Sequence, residues 1–159
     1  NQSGCWSTKF IGDAIMAVWV HPSNAIARAD LVKAFDVISA YQEIFQLAER
    51  KFQPGVPLRF GCALSAGMAS IGNIGSAGAA DFTAMGETVN IAFRLESATK
   101  QAGCDVLIAN GVFDALSDVY FQPEGQVELE LKGFDRPISA LPLKFDDIGG
   151  FLGSLLEAA

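Results

Sequence analysis

Long segments with helical periodicity alternate along this chain with pairs of short apolar runs, which narrows its possible folds sharply. Two strand-like runs at residues 5–11 and 14–20 flank Gly12 and Asp13, which indicates a β-hairpin with the Asp13 carboxylate at its tip. Hairpins pair antiparallel, whereas single strands that alternate with helices form parallel sheets. We therefore predict an α+β sandwich with a mainly antiparallel sheet and its helices on one face.

Two segments have the spacing of amphipathic helices, because their apolar residues recur about every 3.6 positions. For the first helix, Ser23 or Asn24 is the candidate N-cap, and the helix is predicted to end near residues 53–55. The second helix is predicted over residues 87–100, with Gly103 just past it as a C-cap.

The remaining segments are predicted to form short elements. Residues 57–66 are apolar and small enough for a buried strand, and residues 68–74 follow as its partner. A short helix is expected at 111–116 and further strands at 105–108, 118–121, 127–131 and 138–143. The last residues, 146–159, indicate a weak helical tail or a lead into a following module.

Charge and cysteine content exclude several classes of protein. Eighteen acidic against eleven basic residues give a formal charge of −7, and the scattered cations argue against binding to a nucleic-acid polymer. Three cysteines without metal-ligand or redox spacing predict free thiols in a reducing compartment. No apolar run reaches the roughly 18 residues of a membrane span. We expect a cytoplasmic domain, whose parent protein could still be membrane-anchored.

Two groups of polar residues are candidates for chemistry. Lys9 and Asp13 lie on one face of the predicted hairpin, and a turn carboxylate is a suitable ligand for Mg²⁺, although Gly-Asp is also a common plain turn. Asn90 and Arg94 are four positions apart and share a helix face, where an amide and a guanidinium suit a sugar oxygen and a phosphoryl group. The alternative is an exposed polar face on which Arg94 pairs with Glu87 or Glu96.

Four segments in this order resemble the class III adenylyl/guanylyl cyclase catalytic domain. They are Lys9-Phe-Ile-Gly-Asp13-Ala-Ile-Met-Ala-Val-Trp19, Gly72-Asn-Ile-Gly-Ser76, Asp81-Phe-Thr83-Ala-Met-Gly-Glu-Thr-Val-Asn90-Ile-Ala-Phe-Arg94-Leu-Glu-Ser97 and Leu131-Lys132-Gly133-Phe134. The resemblance implies a ferredoxin-like sandwich, with residues 1–145 as the catalytic domain and residues 146–159 as a C-terminal tail or linker.

The resemblance implies a role for each matched residue. Asp13 corresponds to the second of two aspartates that hold two Mg²⁺ or Mn²⁺ ions. Asn90 and Arg94 match the pair that orients the ribose and stabilises the transition state. Lys132 resembles the lysine that contacts the triphosphate. The glycine-rich loop at 75–80 lacks the basic residue that relatives often carry near the phosphates.

Lys9 and Thr83 fall at the two base-selecting positions of this family. Adenine presents an acceptor at N1 and a donor at its 6-amino group, whereas guanine presents the reverse pattern. Because lysine only donates hydrogen bonds and a threonine hydroxyl can accept one, the pair fits adenine. ATP is therefore the expected substrate. Threonine at this position also resembles the subgroup of these cyclases that responds to bicarbonate.

The resemblance implies an adenylyl cyclase, a phosphorus-oxygen lyase of signal transduction that forms 3′,5′-cyclic AMP and pyrophosphate. Its sites would form in a head-to-tail homodimer, with Asp13 of one chain facing the base and phosphate contacts of the other. The family's first metal aspartate lies upstream of the Lys9 segment, so we expect an N-terminally incomplete, largely inactive domain that lacks the first strand and the helices after it. The alternatives are a non-catalytic nucleotide-binding regulatory or dimerisation module and a guanylyl cyclase.

Overall fold

The structure is a computed structural model that describes residues 7–21, 23–76 and 81–158. Within these ranges it contains eight strands and four α-helices. The strands are β1 (Ser7–Ile11), β2 (Ala14–Val18), β3 (Cys62–Leu64), β4 (Ser70–Ile74), β5 (Asp81–Met85), β6 (Val106–Ala109), β7 (Val127–Leu129) and β8 (Ile138–Leu143). The helices are α1 (Arg28–Phe52), α2 (Glu87–Ala102), α3 (Asn110–Asp114) and α4 (Ile148–Glu157). Neither α1, with 25 residues, nor any other helix in these ranges is both long and apolar enough to cross a lipid bilayer.

A four-stranded sheet with the order β3-β6-β8-β7 lies at the centre of the fold. Strand β8 pairs antiparallel with both β6 and β7, whereas β3 pairs parallel with β6. The hairpins β1–β2 and β4–β5 are two further antiparallel pairs. The predicted α+β architecture with mainly antiparallel strands is confirmed.

Helices cover both faces of the central sheet, which corrects the prediction that they lie on one face. Val106 and Ile108 of β6 pack into a cluster with α1, α3 and α4. Leu107 points to the opposite face and packs with Leu95 of α2. All four residues of β6 are buried, as expected for a strand whose two faces are both covered.

The N-terminus of α1 is capped from a distant part of the chain. The helix begins at Arg28, after Ala27, so neither Ser23 nor Asn24 is its N-cap. Instead, the Asp118 carboxylate accepts a hydrogen bond from the backbone N–H of Arg28 at 3.0 Å. This hydrogen bond is the main cause of the lowered pKa of Asp118. A side chain 90 residues away thus satisfies a donor that a local cap would normally take.

Both long helices end where the sequence predicts. Gln53, the residue after α1, adopts a left-handed conformation with φ of 44° and donates its N–H to the Glu49 carbonyl. Gly103 follows α2 with φ of 67°. Left-handed residues at this position are a common way to terminate a helix.

Several strand predictions are corrected by the structure. Only residues 62–64 of the predicted strand at 57–66 form a strand, and β3 pairs with β6 instead of with the segment after it. That segment, β4, pairs with β5, a strand that the sequence reasoning did not assign. Residues 118–121 form no strand. Short apolar segments reveal which residues are buried but not which strand they pair with.

Residues 148–157 form α4, a core helix, which differs from the weak tail or linker expected at 146–159. Phe151 packs against Phe35 of α1 at 5.2 Å between ring centroids and against Phe113 of α3 at 6.2 Å. At the other end of α4, the Arg28 guanidinium donates to the Ala158 carbonyl at 2.8 Å. Helix α4 contains three glycines, so its stability depends on this packing more than on helix propensity.

Cys62 and Cys104 are free thiols, as predicted, whereas Cys5 lies outside the described residues. Burial, reinforced by the nearby charges of Glu96 and Asp105, raises the pKa of Cys62 to about 12. A thiol with so high a pKa holds very little thiolate near neutral pH and is therefore a poor nucleophile. Cys62 is accordingly a packing residue beneath α1.

Candidate active site

The hairpin β1–β2 presents the first two predicted site residues. Its register pairs Ile11 with Ala14, so Gly12 and Asp13 form the two-residue connection. The Asp13 side chain is exposed at this tip, as predicted. Lys9 lies on β1 away from the tip, opposite Met16 of β2, and its ammonium forms an ion pair with the carboxylate of Asp81.

The Lys9 contact brings the hairpin against the start of β5, where Thr83 lies. Asp81 and Thr83 are two positions apart on this strand, so their side chains project from the same face. Thr83 is half-buried and pairs in register with Gly72 of β4. Lys9 and Thr83, which are far apart in the sequence, thus lie on elements that the ion pair of Lys9 with Asp81 brings together.

Helix α2 follows β5 directly and displays the next pair of site residues. The start of the helix lies close to the backbone at Met68, because a Cβ added at Gly86 would be 3.0 Å from the Met68 carbonyl oxygen. The Thr88 hydroxyl also lies 2.9 Å from the hydroxyl of Ser65. Asn90 and Arg94 are both exposed on the same face of this anchored helix.

The alternative that Arg94 pairs with a neighbouring acid is not seen. In the described part of the chain no ion pair joins Arg94 to Glu87 or Glu96. On another side of the helix, about 100° around its axis from Arg94, Leu95 is fully buried. The helix therefore divides into a packed face and a face on which an amide and a guanidinium are open to solvent.

Lys132 is presented by a tight turn beside α2. The Phe134 N–H donates to the Leu131 carbonyl at 3.1 Å, which closes the turn. Gly133 has φ of 92°, a backbone conformation that residues other than glycine rarely adopt. Leu131 is 8% exposed and packs with Leu95, so the turn is anchored against the buried side of α2. Lys132 itself is exposed.

Two cavities are relevant to ligand binding. One, of about 400 Å³, lies at the loop of residues 130–137 and includes Lys132 and Arg136 among its lining residues. The other, of about 280 Å³, lies between α1, Phe60 and Phe145 and contains none of the predicted site residues. The first cavity contains the predicted phosphate contact Lys132, and Glu130 and Asp135 also line it, so they balance the charges of Lys132 and Arg136.

Of the two carboxylates that the resemblance implies for metal ions, Asp13 is the candidate that lies in the described residues. No cluster of three or more His, Cys, Asp or Glu side chains is present in the ranges that the structure covers. Asp13 is an exposed carboxylate at a hairpin tip, and a hard oxygen donor of this kind fits one position of a Mg²⁺ or Mn²⁺ site. Residues 77–80 of the glycine-rich loop lie outside the described residues.

Sequence reasoning missed two charged residues next to the predicted ones. Asp81 contacts Lys9 directly, and Arg136 lines the same cavity as Lys132. The signal for Asp81 was its position two residues before Thr83, which places both side chains on one face if the segment is a strand. That strand was not assigned, so the contact was not anticipated.

The profile of the family described as "Adenylate and Guanylate cyclase catalytic domain" matches residues 1–141. The chain belongs to this family. The match ends before α4, so the helix that packs on α1 lies beyond the matched residues of this cyclase domain.

Curated relatives and solved structures support the same assignment. The chain is 29% identical to "Adenylate cyclase" of Anabaena cylindrica, over 91% of the chain and 29% of the relative. It is 34% identical to "Adenylate cyclase 1" of Rhizobium meliloti (strain 1021), over 74% of the chain and 18% of the relative. The chain thus spans less than a third of the length of either relative.

Among solved structures, the chain is similar to the adenylyl cyclase CyaB from P. aeruginosa. The TM-score is 0.63 at 28% identity, covering 87% of this chain and 71% of that one. The guanylyl cyclase Cya2 gives a TM-score of 0.65 at 22% identity, covering 89% and 70%. The second likeness shows that the fold is shared and does not distinguish between ATP and GTP.

Proposed function

We propose that this cyclase domain is an adenylyl cyclase that converts ATP to 3′,5′-cyclic AMP and pyrophosphate. The observation that carries the proposal is the placement of Lys9 beside the strand of Thr83, through its ion pair with Asp81. A donor-only ammonium on the hairpin and a hydroxyl acceptor on the strand it contacts would complement the N1 and 6-amino groups of adenine. The relatives named adenylate cyclase support the same substrate.

The proposed reaction is an internal phosphoryl transfer within ATP. The ribose 3′-oxygen gives up its proton to solvent and attacks the α-phosphorus, and the bond from that phosphorus to the bridging oxygen of pyrophosphate breaks, so that pyrophosphate leaves. Asn90 orients the ribose, and Arg94 stabilises the charge that develops on the α-phosphate oxygens. Lys132 binds the triphosphate. Two divalent ions, held in part by Asp13, would supply positive charge at the reacting oxygens when bound.

The site is proposed to form between two chains in a head-to-tail homodimer, with Asp13 of one chain facing the base and phosphate contacts of the other. Each metal site would also need the family's first aspartate, which lies outside the described residues. Within the described ranges, β3 pairs with β6 alone, so one edge of the central sheet has no strand partner there. An unpaired edge is a position at which a further strand can add. We propose that a strand bearing the family's first metal aspartate occupies the edge beside β3.

A cyclic AMP assay tests the proposal in two forms of the protein. The 159-residue chain alone is expected to turn over little ATP with Mg²⁺ or Mn²⁺, because one metal carboxylate is absent from its proposed site. The same domain extended upstream in its reading frame is expected to be active. An Asp13→Asn variant of the extended domain is expected to lose most of that activity. Robust turnover by the short chain, or an active Asp13→Asn variant, contradicts the two-metal proposal.

The outcomes also separate the competing functions. Preference for GTP over ATP in the extended domain contradicts the proposed roles of Lys9 and Thr83 and favours a guanylyl cyclase. Binding of ATP without turnover favours a non-catalytic regulatory or dimerisation module. We also propose, from the identity of Thr83, that bicarbonate raises the rate. A rate that stays constant across bicarbonate concentrations at fixed pH removes that proposal.

A further inference from the structure

Lys9 has a partner in the fold that base recognition by Lys9 and Thr83 does not require. Its ammonium forms an ion pair with Asp81, 72 residues further along the chain. The Lys9 side chain is 27% exposed and that of Asp81 is 61% exposed. The ion pair joins the hairpin β1–β2 to the first residue of β5, and so it links this hairpin to the hairpin β4–β5.

A lysine that must select a nucleobase benefits from such a partner. Lysine has a long flexible side chain, and ordering it on binding costs conformational entropy. A carboxylate that already holds the ammonium reduces this cost, because the side chain is restrained before the nucleotide arrives. The ammonium has three N–H donors, so contact with Asp81 leaves donors available for a ring nitrogen.

The position of Asp81 fits this role geometrically. It lies two residues before Thr83 and therefore on the same face of β5. A restraint on Lys9 at Asp81 keeps the donor beside the predicted acceptor hydroxyl. The pair also keeps the carboxylate engaged, so Asp81 is not a free acceptor for the N1 and 2-amino donors of guanine.

We propose that Asp81 is a positioning residue that holds Lys9 for adenine recognition and thereby increases the preference for ATP over GTP. This inference rests on the proposed cyclase activity and on the proposed role of Lys9. Asp81 acts through Lys9 and does not take part in phosphoryl transfer. Its loss therefore affects the binding of the base more than the chemical step.

The test is a double-mutant cycle of Asp81 and Lys9, measured by steady-state kinetics in the upstream-extended domain with ATP and GTP as substrates. Asp81→Asn is expected to raise the KM for ATP roughly three- to fivefold, with a smaller change in kcat, and to lower the ratio of ATP to GTP efficiency. In a Lys9→Ala background, Asp81→Asn is expected to change the KM for ATP by less than about twofold. Asp81→Glu, which keeps the charge, is expected to restore part of the preference.

Controls separate this proposal from the proposed function and from loss of folding. Asp36→Asn removes the same charge from an exposed position on α1 and is expected to leave both substrates unaffected. Thermal unfolding of each variant checks the fold, and Asp81→Ser is a second variant should the asparagine protein unfold. An unchanged KM and substrate ratio for Asp81→Asn in an active domain overturns the proposal. An effect of Asp81→Asn on KM that is equally large in the parent and in the Lys9→Ala background also overturns the proposal. Absence of cyclic AMP from the unaltered extended domain instead contradicts the proposed function.

Discussion

Replacing Arg94 with alanine in the upstream-extended domain is expected to lower kcat for cyclic AMP formation by about 10²- to 10³-fold. The guanidinium is exposed on α2 and is not neutralised by Glu87 or Glu96 in the described structure, so its full charge is available to the α-phosphate. A fixed cation near charge that develops in the transition state lowers the barrier more than it strengthens substrate binding. The KM for ATP should therefore change less than kcat.

The measurement is steady-state cyclic AMP production across ATP concentrations, with circular dichroism to compare the folded state of each variant. Arg94→Lys is informative because lysine keeps the charge but loses the planar fork of donors, and it should recover only part of the rate. Arg50→Ala, at an exposed position near the end of α1, is the matched control and should retain the parent rate. A kcat for Arg94→Ala within about threefold of the parent value would contradict the proposed role of Arg94 in stabilising the transition state.

Local sequence patterns predicted the elements of the fold better than their pairing. The C-terminal ends of α1 and α2 and the hairpin around Asp13 follow from residues close to them in the chain, and all three are confirmed. The cap of α1 could not be predicted in this way, because Asp118 reaches Arg28 only after the chain has folded. The same reason explains the partner of β3, which is a strand more than 40 residues later.

The helices on both faces of the sheet illustrate a second limit. A run such as that of β6, with four consecutive buried residues, is compatible with a strand covered on two faces or with part of a buried helix. The core role of α4 was similarly obscured, because its three glycines lower helix propensity and only tertiary contacts reveal its packed side.

The candidate site was predictable to the extent that its residues lie in short motifs. Asn90 and Arg94 share a helix face because of their spacing alone, and Lys132 lies in a turn that Gly133 permits. The proximity of Lys9 to the β5 strand depends on how the hairpin packs, which no local pattern contains. Asp81 became visible as a candidate only through that packing.

Replacing Phe35 with alanine is expected to lower the free energy of unfolding by about 3–5 kcal/mol, the range for removing a fully buried aromatic side chain. Phe35 is 0% exposed and packs with Phe151 of α4, so its removal leaves a cavity between α1 and α4. Urea unfolding followed by circular dichroism measures the change. Phe35→Leu, which fills part of the space, should lose less.

Two comparisons show whether this loss comes from the packing of α4 on α1. Phe52→Ala removes the same side chain from the other end of α1, where it is 70% exposed, and should cost less than about 1 kcal/mol. Phe151→Ala should destabilise the parent more than it destabilises the Phe35→Ala variant, because the two rings share one contact. Strictly additive losses, or a Phe35→Ala loss below about 1 kcal/mol, would mean that the contact between Phe35 and Phe151 does not stabilise the packing of α4 on α1. If the losses are coupled, residues 148–157 belong to the core that supports β6 and, through it, the packed side of α2.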